Sequence, residues 1–202
     1  MKKGYLRNMW LRYRESKRWW SIVLDFLFLL LIIAMLIPAT RKPLSTFVVR
    51  HTLLSPRESS KTIFLDEEDW DFQLVDYQGN TVNLSDLKDK PVLLNFWATW
   101  CPPCIAELPS FQNLYKRFHS EVHFIFISNE EPEEVNRFIK AKGYSLPLYA
   151  LAGPVPDAFE TATIPTTYVI SKGGRLVLYK TGAADWDSRK TIRIIEQLIA
   201  GE

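Results

Sequence analysis

The chain has 202 residues, 47% hydrophobic and 24% charged, which excludes a wholly disordered protein and suits one ordinary domain plus an extension. Its two cysteines are too few for a disulfide scaffold or for a four-thiolate zinc or iron–sulfur site. The formal net charge of +2 hides an acidic body, because residues 62–202 hold 13 basic and 20 acidic side chains, and such a body binds duplex DNA poorly. We therefore expect no nucleic-acid partner.

The N-terminal part of the chain predicts a membrane anchor. Residues 1–20 carry seven basic side chains and one acidic one, and they lead into the apolar run IVLDFLFLLLIIAMLI. Counted from Trp19, this run gives about 28 Å of helix, close to the roughly 30 Å of a hydrocarbon core. Trp19 and Trp20 suit the membrane interface, and Asp25 lies near the helix start, where a carboxylate reaches the headgroups most readily. We expect a basic cytoplasmic head at 1–20 and a transmembrane signal-anchor helix at 21–38, in contact with the lipid bilayer.

Two other interpretations of the apolar run stay open. It could be a buried helix of a soluble domain, although it has no polar face. It could be a cleaved signal peptide, although the basic head is long and no clean A-x-A sequence follows the run. Fewer basic residues follow the run than precede it, so the positive-inside rule places residues 1–18 in the cytoplasm and the body outside it.

Residues 39–63 are predicted to be a linker, because they contain Pro43, Pro56 and the polar run SPRESSK. The pattern from residue 64 to residue 202 is that of a globular domain. Apolar periodicity there predicts a hairpin, then a strand–helix–strand unit, a helix, a second hairpin and a last helix. This order predicts an α/β fold with a mixed central sheet and helices on both faces. The predicted strands are 72–75, 81–84, 92–97, 123–128, 166–171 and 175–180; the predicted helices are one after Cys104, one at 133–142 and one at 188–199.

The two cysteines form a C-P-P-C motif at 101–104, directly after the apolar strand VLLNFW and at the start of the next helix. A helix N-terminus offers unpaired amides and a partial positive charge, and both favour the thiolate, which is the reactive form of cysteine. Pro102 and Pro103 fit the first helical turn, where a missing N–H matters little. Trp97 and Trp100 place apolar bulk beside the pair.

A redox-active pair is the interpretation that this placement favours. A structural disulfide stays open, but so short a loop gives little entropic stabilisation. A metal site would need two more ligands, and His51, His119 and His123 are scattered in sequence, so we expect no metal. We also expect no cofactor.

The sequence closely resembles the thioredoxin fold, and more narrowly the TlpA/ResA-like family of membrane-anchored thiol–disulfide oxidoreductases. The resemblance is carried by DFQLVDYQGNTVNLSDL, VLLNFWATWCPPCIAELP, EEVNRFIKAKGY and TIPTTYVISKGGRLV, and it covers essentially everything after the linker. The combination of W-C-P-P-C, I-P-T-T and a Gly-Gly hairpin is far more specific than C-x-x-C alone. The fold implied is a thioredoxin-like domain at 64–202.

The resemblance implies a role for each residue that matches the motif. Cys101 would attack and Cys104 would resolve the mixed disulfide, the two forming a redox-active disulfide. Pro165, after Ile164, matches the cis-proline that faces the cysteines, in a loop that offers backbone groups to an extended substrate segment. An ordinary turn proline is the alternative. The substrate-binding residues expected on this basis are Trp100, Pro102, Pro103, Ile164 and Pro165.

Asn95 departs from ordinary thioredoxins, which carry a buried aspartate at this strand position. Asparagine does not titrate, so the proton of the resolving thiol must go elsewhere. Glu107, three residues after Cys104 on the same helix, matches the glutamate of ResA-like C-x-x-C-x-x-E motifs and is expected to be the third catalytic residue. The alternative is a solvated helix acid. The acidic runs at 66–69 and 130–134 are interpreted as solvated faces.

The expected function is an extracytoplasmic protein disulfide reductase in the bacterial cytoplasmic (inner) membrane, single-pass, with its catalytic domain in the periplasm. No basic residue separates the cysteines, and Glu107 opposes the thiolate, so the pair is expected to be reducing. The resemblance implies an integral-membrane thiol electron donor, and client proteins such as apocytochrome c or a maturing metalloenzyme. The alternatives are a dithiol oxidase or isomerase, a peroxiredoxin-like peroxidase, and a binding domain with a vestigial pair.

Overall fold

The computed structural model describes residues 19–36, 53–56 and 58–201. The chain divides into two compact units, residues 1–45 and residues 46–202, and each is described by itself. In the first unit, the apolar run forms helix α1 (Trp19–Leu36). No helix within the described ranges is both long and apolar enough to cross a membrane. Residues 1–18 of the predicted head, 37–38 of the predicted anchor, and 39–52 and 57 of the predicted linker lie outside the described residues.

The second unit is an α/β domain built on one mixed sheet, as the sequence predicts. Over the residues that the structure describes, this sheet has eight strands. Its strands are β1 (Glu58–Phe64), β2 (Gln73–Asp76), β3 (Thr81–Asn83), β4 (Val92–Phe96), β5 (His123–Ile127), β6 (Leu148–Leu151), β7 (Thr166–Ile170) and β8 (Arg175–Thr181). Its helices are α2 (Glu67–Trp70), α3 (Pro102–Phe118), α4 (Pro132–Ala141) and α5 (Arg189–Ala200), with 3-10 turns at Leu84–Leu87 and Asp157–Phe159.

The strand order is β1-β8-β7-β4-β5-β6-β2-β3, so the strand that precedes the cysteines is central. All five residues of β4 are buried, as a continuous apolar run requires of a strand covered on both faces. β4 runs parallel to β5 and antiparallel to β7, with Phe96 opposite Thr166. This register brings the end of β4, where the cysteines follow, next to the start of β7, where Pro165 precedes.

The long helices of the domain share one face of the sheet. Buried residues of α3, α4 and α5, such as Phe111, Val135 and Ile195, belong to one core with Leu93 and Val169. Two successive connections, β4–α3–β5 and β5–α4–β6, join adjacent parallel strands in the same direction. Because such connections keep one hand, both helices come to the same side.

The opposite core holds the alternate strand residues, such as Leu94 and Ile125, and is closed by short elements. These are the one-turn helix α2 through Trp70 and the 3-10 turns through Leu84 and Phe159. Helices therefore lie on both faces, as predicted, but those on the second face are only three or four residues long.

Three elements were not predicted from the sequence. β1 lies mostly within the predicted linker and pairs with β8, Phe64 opposite Arg175, so ordered structure begins before residue 64. β6 is a four-residue strand between β5 and β2. The acidic run at 66–69 caps α2, since the Asp66 side chain accepts from the Asp69 amide and the Asp69 side chain from the Asp66 amide.

Candidate active site

Both cysteine sulfurs lie at the first turn of α3 and are joined as a disulfide, with Cα atoms 5.3 Å apart. Cys101 is the N-cap residue, and its Sγ accepts the amide N–H of Cys104 at 3.3 Å. Pro102 and Pro103 occupy the next two positions, which need no N–H. Cys104 is fully buried and Cys101 is 4% exposed. The residue that the sequence assigns to attack is thus the outer one of the pair.

The loop before β7 faces the disulfide, as the resemblance implies. The Ile164–Pro165 peptide bond is cis, and the carbonyl oxygen of Ile164 lies 3.9 Å from Sγ of Cys101. The carbonyl of Pro165 accepts the amide N–H of Gly182 at 2.8 Å, which fixes this loop to the end of β8. The predicted pair of cysteines and the predicted proline loop therefore form one site.

A cleft of about 190 Å³ adjoins this site. Trp100, which is 59% exposed, and Ile164 both line it, so two of the predicted substrate-binding residues share a surface. Pro102 and Pro103 are half-buried at the helix start and are not among the cleft residues. The lining is mostly apolar and consists of Phe96, Trp97, Ala98, Trp100, Ile127, Asn129, Glu130 and Ile164.

Glu130 holds the loop that carries Trp100 and Cys101. Its carboxylate accepts the amide N–H of Thr99 at 2.7 Å, the hydroxyl of Thr99, and the hydroxyl of Ser128 at 3.0 Å. The interpretation of residues 130–134 as a solvated face is therefore wrong for Glu130, which is half-buried. The sequence did not distinguish Glu130 from the neighbouring acids, because its partner Thr99 is 31 residues away.

Glu107 lies in the core on the second turn of α3 and is 1% exposed, so the alternative of a solvated helix acid is wrong. Its Oε2 accepts the indole N–H of Trp186 at 2.9 Å and the amide N–H of Ala184 at 3.2 Å. Its Oε1 accepts from Nδ2 of Asn95 at 3.3 Å. Burial raises the pKa of Glu107 from 4.5 to about 8, and these three hydrogen bonds oppose that rise. A carboxyl with such a pKa can both hold and release a proton near neutral pH.

Asn95 lies in the middle of β4 and is fully buried. Its Nδ2 also donates to Oγ1 of Thr167 on β7, at 2.8 Å. Its Oδ1 has no hydrogen-bond partner among the described residues. The Asn95 amide links the sheet to Glu107 but does not titrate. Glu107 is therefore the titratable group in this contact.

The sequence prediction missed Trp186, since a single tryptophan after β8 gives no signal of a contact with residue 107. The described part of the chain holds no group of three or more His, Cys, Asp or Glu side chains that could bind a metal ion. His123 instead pairs with Asp89, Nε2 to Oδ1 at 2.7 Å. The first two turns of α3 therefore carry a disulfide and a buried carboxyl, that of Glu107, whose pKa is raised.

Comparisons with known proteins point to the same chemistry. A family model described as the AhpC/TSA family matches residues 67–179. The chain is 40% identical over 114 residues to thiol-disulfide oxidoreductase ResA of Bacillus subtilis, covering 55% of this chain and 64% of that protein. It is 38% identical over 119 residues to ResA of Halalkalibacterium halodurans, covering 57% and 68%. The match therefore spans less than two thirds of the Bacillus subtilis protein.

A solved structure extends the likeness to the fold. A thiol:disulfide interchange protein of the thioredoxin family from Chlorobium tepidum is 26% identical, with a TM-score of 0.50. The superposition covers 72% of this chain and 97% of that one.

Proposed function

This chain belongs to the AhpC/TSA family and has a thioredoxin-like α/β fold, and from that premise we propose that it is a thiol–disulfide oxidoreductase that reduces disulfides of client proteins. The observation that carries the proposal is the Cys101–Cys104 disulfide at the mouth of α3, with the Ile164 carbonyl 3.9 Å from the outer sulfur. The similarity of the chain to two ResA proteins supports the same activity.

The exchange proceeds in two steps. The thiolate of reduced Cys101 attacks one sulfur of a client disulfide, which breaks the client S–S bond and forms a mixed disulfide. The Cys104 thiol gives up its proton and attacks Sγ of Cys101, which breaks the mixed disulfide and releases the second client sulfur as a thiolate; the two client thiolates take protons from the solvent. Two electrons pass to the client, and the Cys101–Cys104 disulfide remains. Glu107, buried and three residues after Cys104 on the same helix, receives the proton of Cys104 when its carboxyl is ionised.

The charges around the pair support the reducing direction. A dithiol is more reducing when its thiolate is less stabilised. Pro102 and Pro103 put no basic side chain between the cysteines, and the Glu107 carboxylate opposes a nearby thiolate once the pH is high enough to ionise it. The disulfide that remains after each turnover must be reduced again, so we propose an integral-membrane thiol carrier as electron donor. Clients of the expected kind are apocytochrome c with its haem-site cysteines, or a maturing metalloenzyme.

We propose that the domain acts outside the cytoplasm, held at the bacterial cytoplasmic membrane by the apolar segment 21–38. The support is sequence-based: seven basic side chains lie in residues 1–20, and the positive-inside rule keeps such a head in the cytoplasm. Reporter fusions at the C-terminus test this orientation. We expect activity from an export-dependent reporter, and activity from a cytoplasm-only reporter would refute the orientation.

A Cys104→Ser variant of the full chain tests the function. It lacks the resolving sulfur, so we expect it to stay bound to clients through Cys101 as mixed disulfides that a reductant releases. A Cys101→Ser/Cys104→Ser variant is the matched control and should trap nothing. The wild type should reduce insulin with dithiothreitol as electron source. A reduction potential as high as that of a strong oxidase, or consumption of peroxide instead of disulfide, would replace this function with one of the alternatives.

A further inference from the structure

The segment Ala184–Asp187, between β8 and α5, lies along one side of α3. The amide N–H of Trp186 donates to Oγ of Ser110 at 3.2 Å. The side chain of Asn113 donates to Oδ2 of Asp187 at 2.5 Å. Glu107, Ser110 and Asn113 are spaced by three residues, so they share one side of the helix. The 184–187 segment is thereby fixed to the same side of α3 that carries Glu107.

Within this segment, Trp186 is oriented by a stacked ring contact and by a hydrogen bond at its nitrogen. Its side chain is fully buried and stacks on Phe111, with ring centroids 5.1 Å apart and planes 13° apart. Its Nε1–H donates to Oε2 of Glu107 at 2.9 Å. A stacked, buried indole has little rotational freedom, so this N–H is held in place before the carboxyl titrates.

The hydrogen bonds divide the two oxygens of Glu107 into distinct roles. Oε2 accepts two N–H groups, from Trp186 and Ala184. Neither group can accept a hydrogen bond, so a proton on Oε2 would have no partner there. Oε1 has only the longer bond from Asn95, at 3.3 Å. A carboxyl proton therefore sits on Oε1. Of the charged groups on packed elements, Lys180 of β8 acts on this carboxyl and favours its ionised form.

We propose that Trp186 is a positioning residue that fixes the Glu107 carboxyl with Oε1 as its proton-carrying oxygen, and so sets the pH range of thiol–disulfide exchange. This role rests on the proposed function, and no sequence pattern predicted it for Trp186. Trp186 acts through Glu107, because its indole N–H donates to that carboxyl. A charge-assisted hydrogen bond favours the ionised carboxyl, so its loss delays ionisation to higher pH.

The test is Trp186→Phe in the full chain, which keeps an aromatic ring against Phe111 and removes the N–H. We expect the acid limb of the rate of insulin reduction to move to higher pH by about one unit, a roughly tenfold loss of rate on that limb, with the high-pH plateau retained. In a Glu107→Gln background the same substitution should move nothing. An equal displacement in both backgrounds, or none in either, would overturn the proposal.

Trp97→Phe is the matched control. Trp97 is also buried beside the pair, at 3% exposed, but its Nε1 has no hydrogen-bond partner among the described residues. We expect Trp97→Phe to leave the pH midpoint where it is. A displacement as large as that of Trp186→Phe would attribute the effect to ring size and refute the assignment of the N–H.

A measurement on the oxidised wild type covers the case in which Trp186→Phe does not fold. The indole N–H resonance of Trp186, followed by NMR, should titrate with the Glu107 carboxyl and should be flat with pH in Glu107→Gln. A flat wild-type resonance overturns the proposal. This readout needs no turnover, so a chain with no reductase activity but a titrating indole would contradict the proposed function and leave the positioning of Glu107 standing.

Discussion

Replacing Glu107 by glutamine should make the oxidised protein more stable at alkaline pH. The carboxyl is 1% exposed, and burial raises its pKa from 4.5 to about 8 against the opposing bonds from Trp186, Ala184 and Asn95. Glutamine keeps an oxygen to accept from Trp186 and Ala184, and its NH₂ can meet Oδ1 of Asn95, which has no partner among the described residues, once that amide turns over. The substitution therefore removes the ionisation and keeps the packing.

The direction follows from proton linkage. Between pH 4.5 and about 8 the unfolded carboxyl is ionised while the folded one keeps its proton, so the native state binds more protons and loses stability as pH rises. This contribution is complete below pH 4.5 and is lost as pH passes about 8. At about 1.4 kcal/mol for each pH unit, the loss is on the order of 5 kcal/mol, which Glu107→Gln avoids.

Urea unfolding of the oxidised full chain in mild detergent, from pH 5 to pH 9, measures this difference. Oxidation matters because disulfide-bonded sulfurs do not titrate, so the pH dependence of the difference between variant and wild type isolates Glu107. We expect the two free energies of unfolding to be closest at pH 5 and to diverge by several kcal/mol at pH 9, the variant being the more stable. Parallel curves would refute the reasoning, since the carboxyl would then ionise equally in both states.

Two further predictions concern groups outside this carboxyl. Glu130→Ala removes both hydrogen bonds to Thr99, so we expect insulin reduction to slow several-fold with an unchanged pH midpoint, and a displaced midpoint would contradict a role limited to loop positioning. Gly174→Ala puts a Cβ at φ +79° and 3.3 Å from the Trp70 ring, so thermal unfolding should report a loss of about 1–2 kcal/mol or more. Gly79→Ala, at φ +92° with nothing within 4 Å, should lose less, and equal losses would remove the contact with Trp70 from the explanation.

Elements with strong local signals were predictable from the sequence. The buried run of β4, the alternation of β2 and β3 around a turn, and the periodicity of α5 each follow from the residues themselves. The C-P-P-C motif at 101–104 predicted cysteines at a helix N-terminus because prolines suit the first helical turn. These signals are local, so one sequence suffices to read them.

Features that depend on contacts between distant residues were not predictable. Glu130 reads as one acid in a run, yet its partner Thr99 is 31 residues away. Trp186 donates a hydrogen bond to Glu107, which is 79 residues away in sequence. β1 has the sequence ESSKTIF, without strand alternation, and forms because β8 offers it a ladder. In each case a distant residue or strand determines the role, and the local sequence pattern does not indicate that partner.

The pairing of β1 with β8 has a consequence for any shortened form of this protein. Removing everything before residue 64 would leave the backbone N–H and C=O groups of β8 facing solvent over most of the length that β1 now pairs. Two truncated copies could then pair with each other through these exposed edges and form a dimer. β1 thus covers the β8 edge of the sheet and protects this edge against self-association.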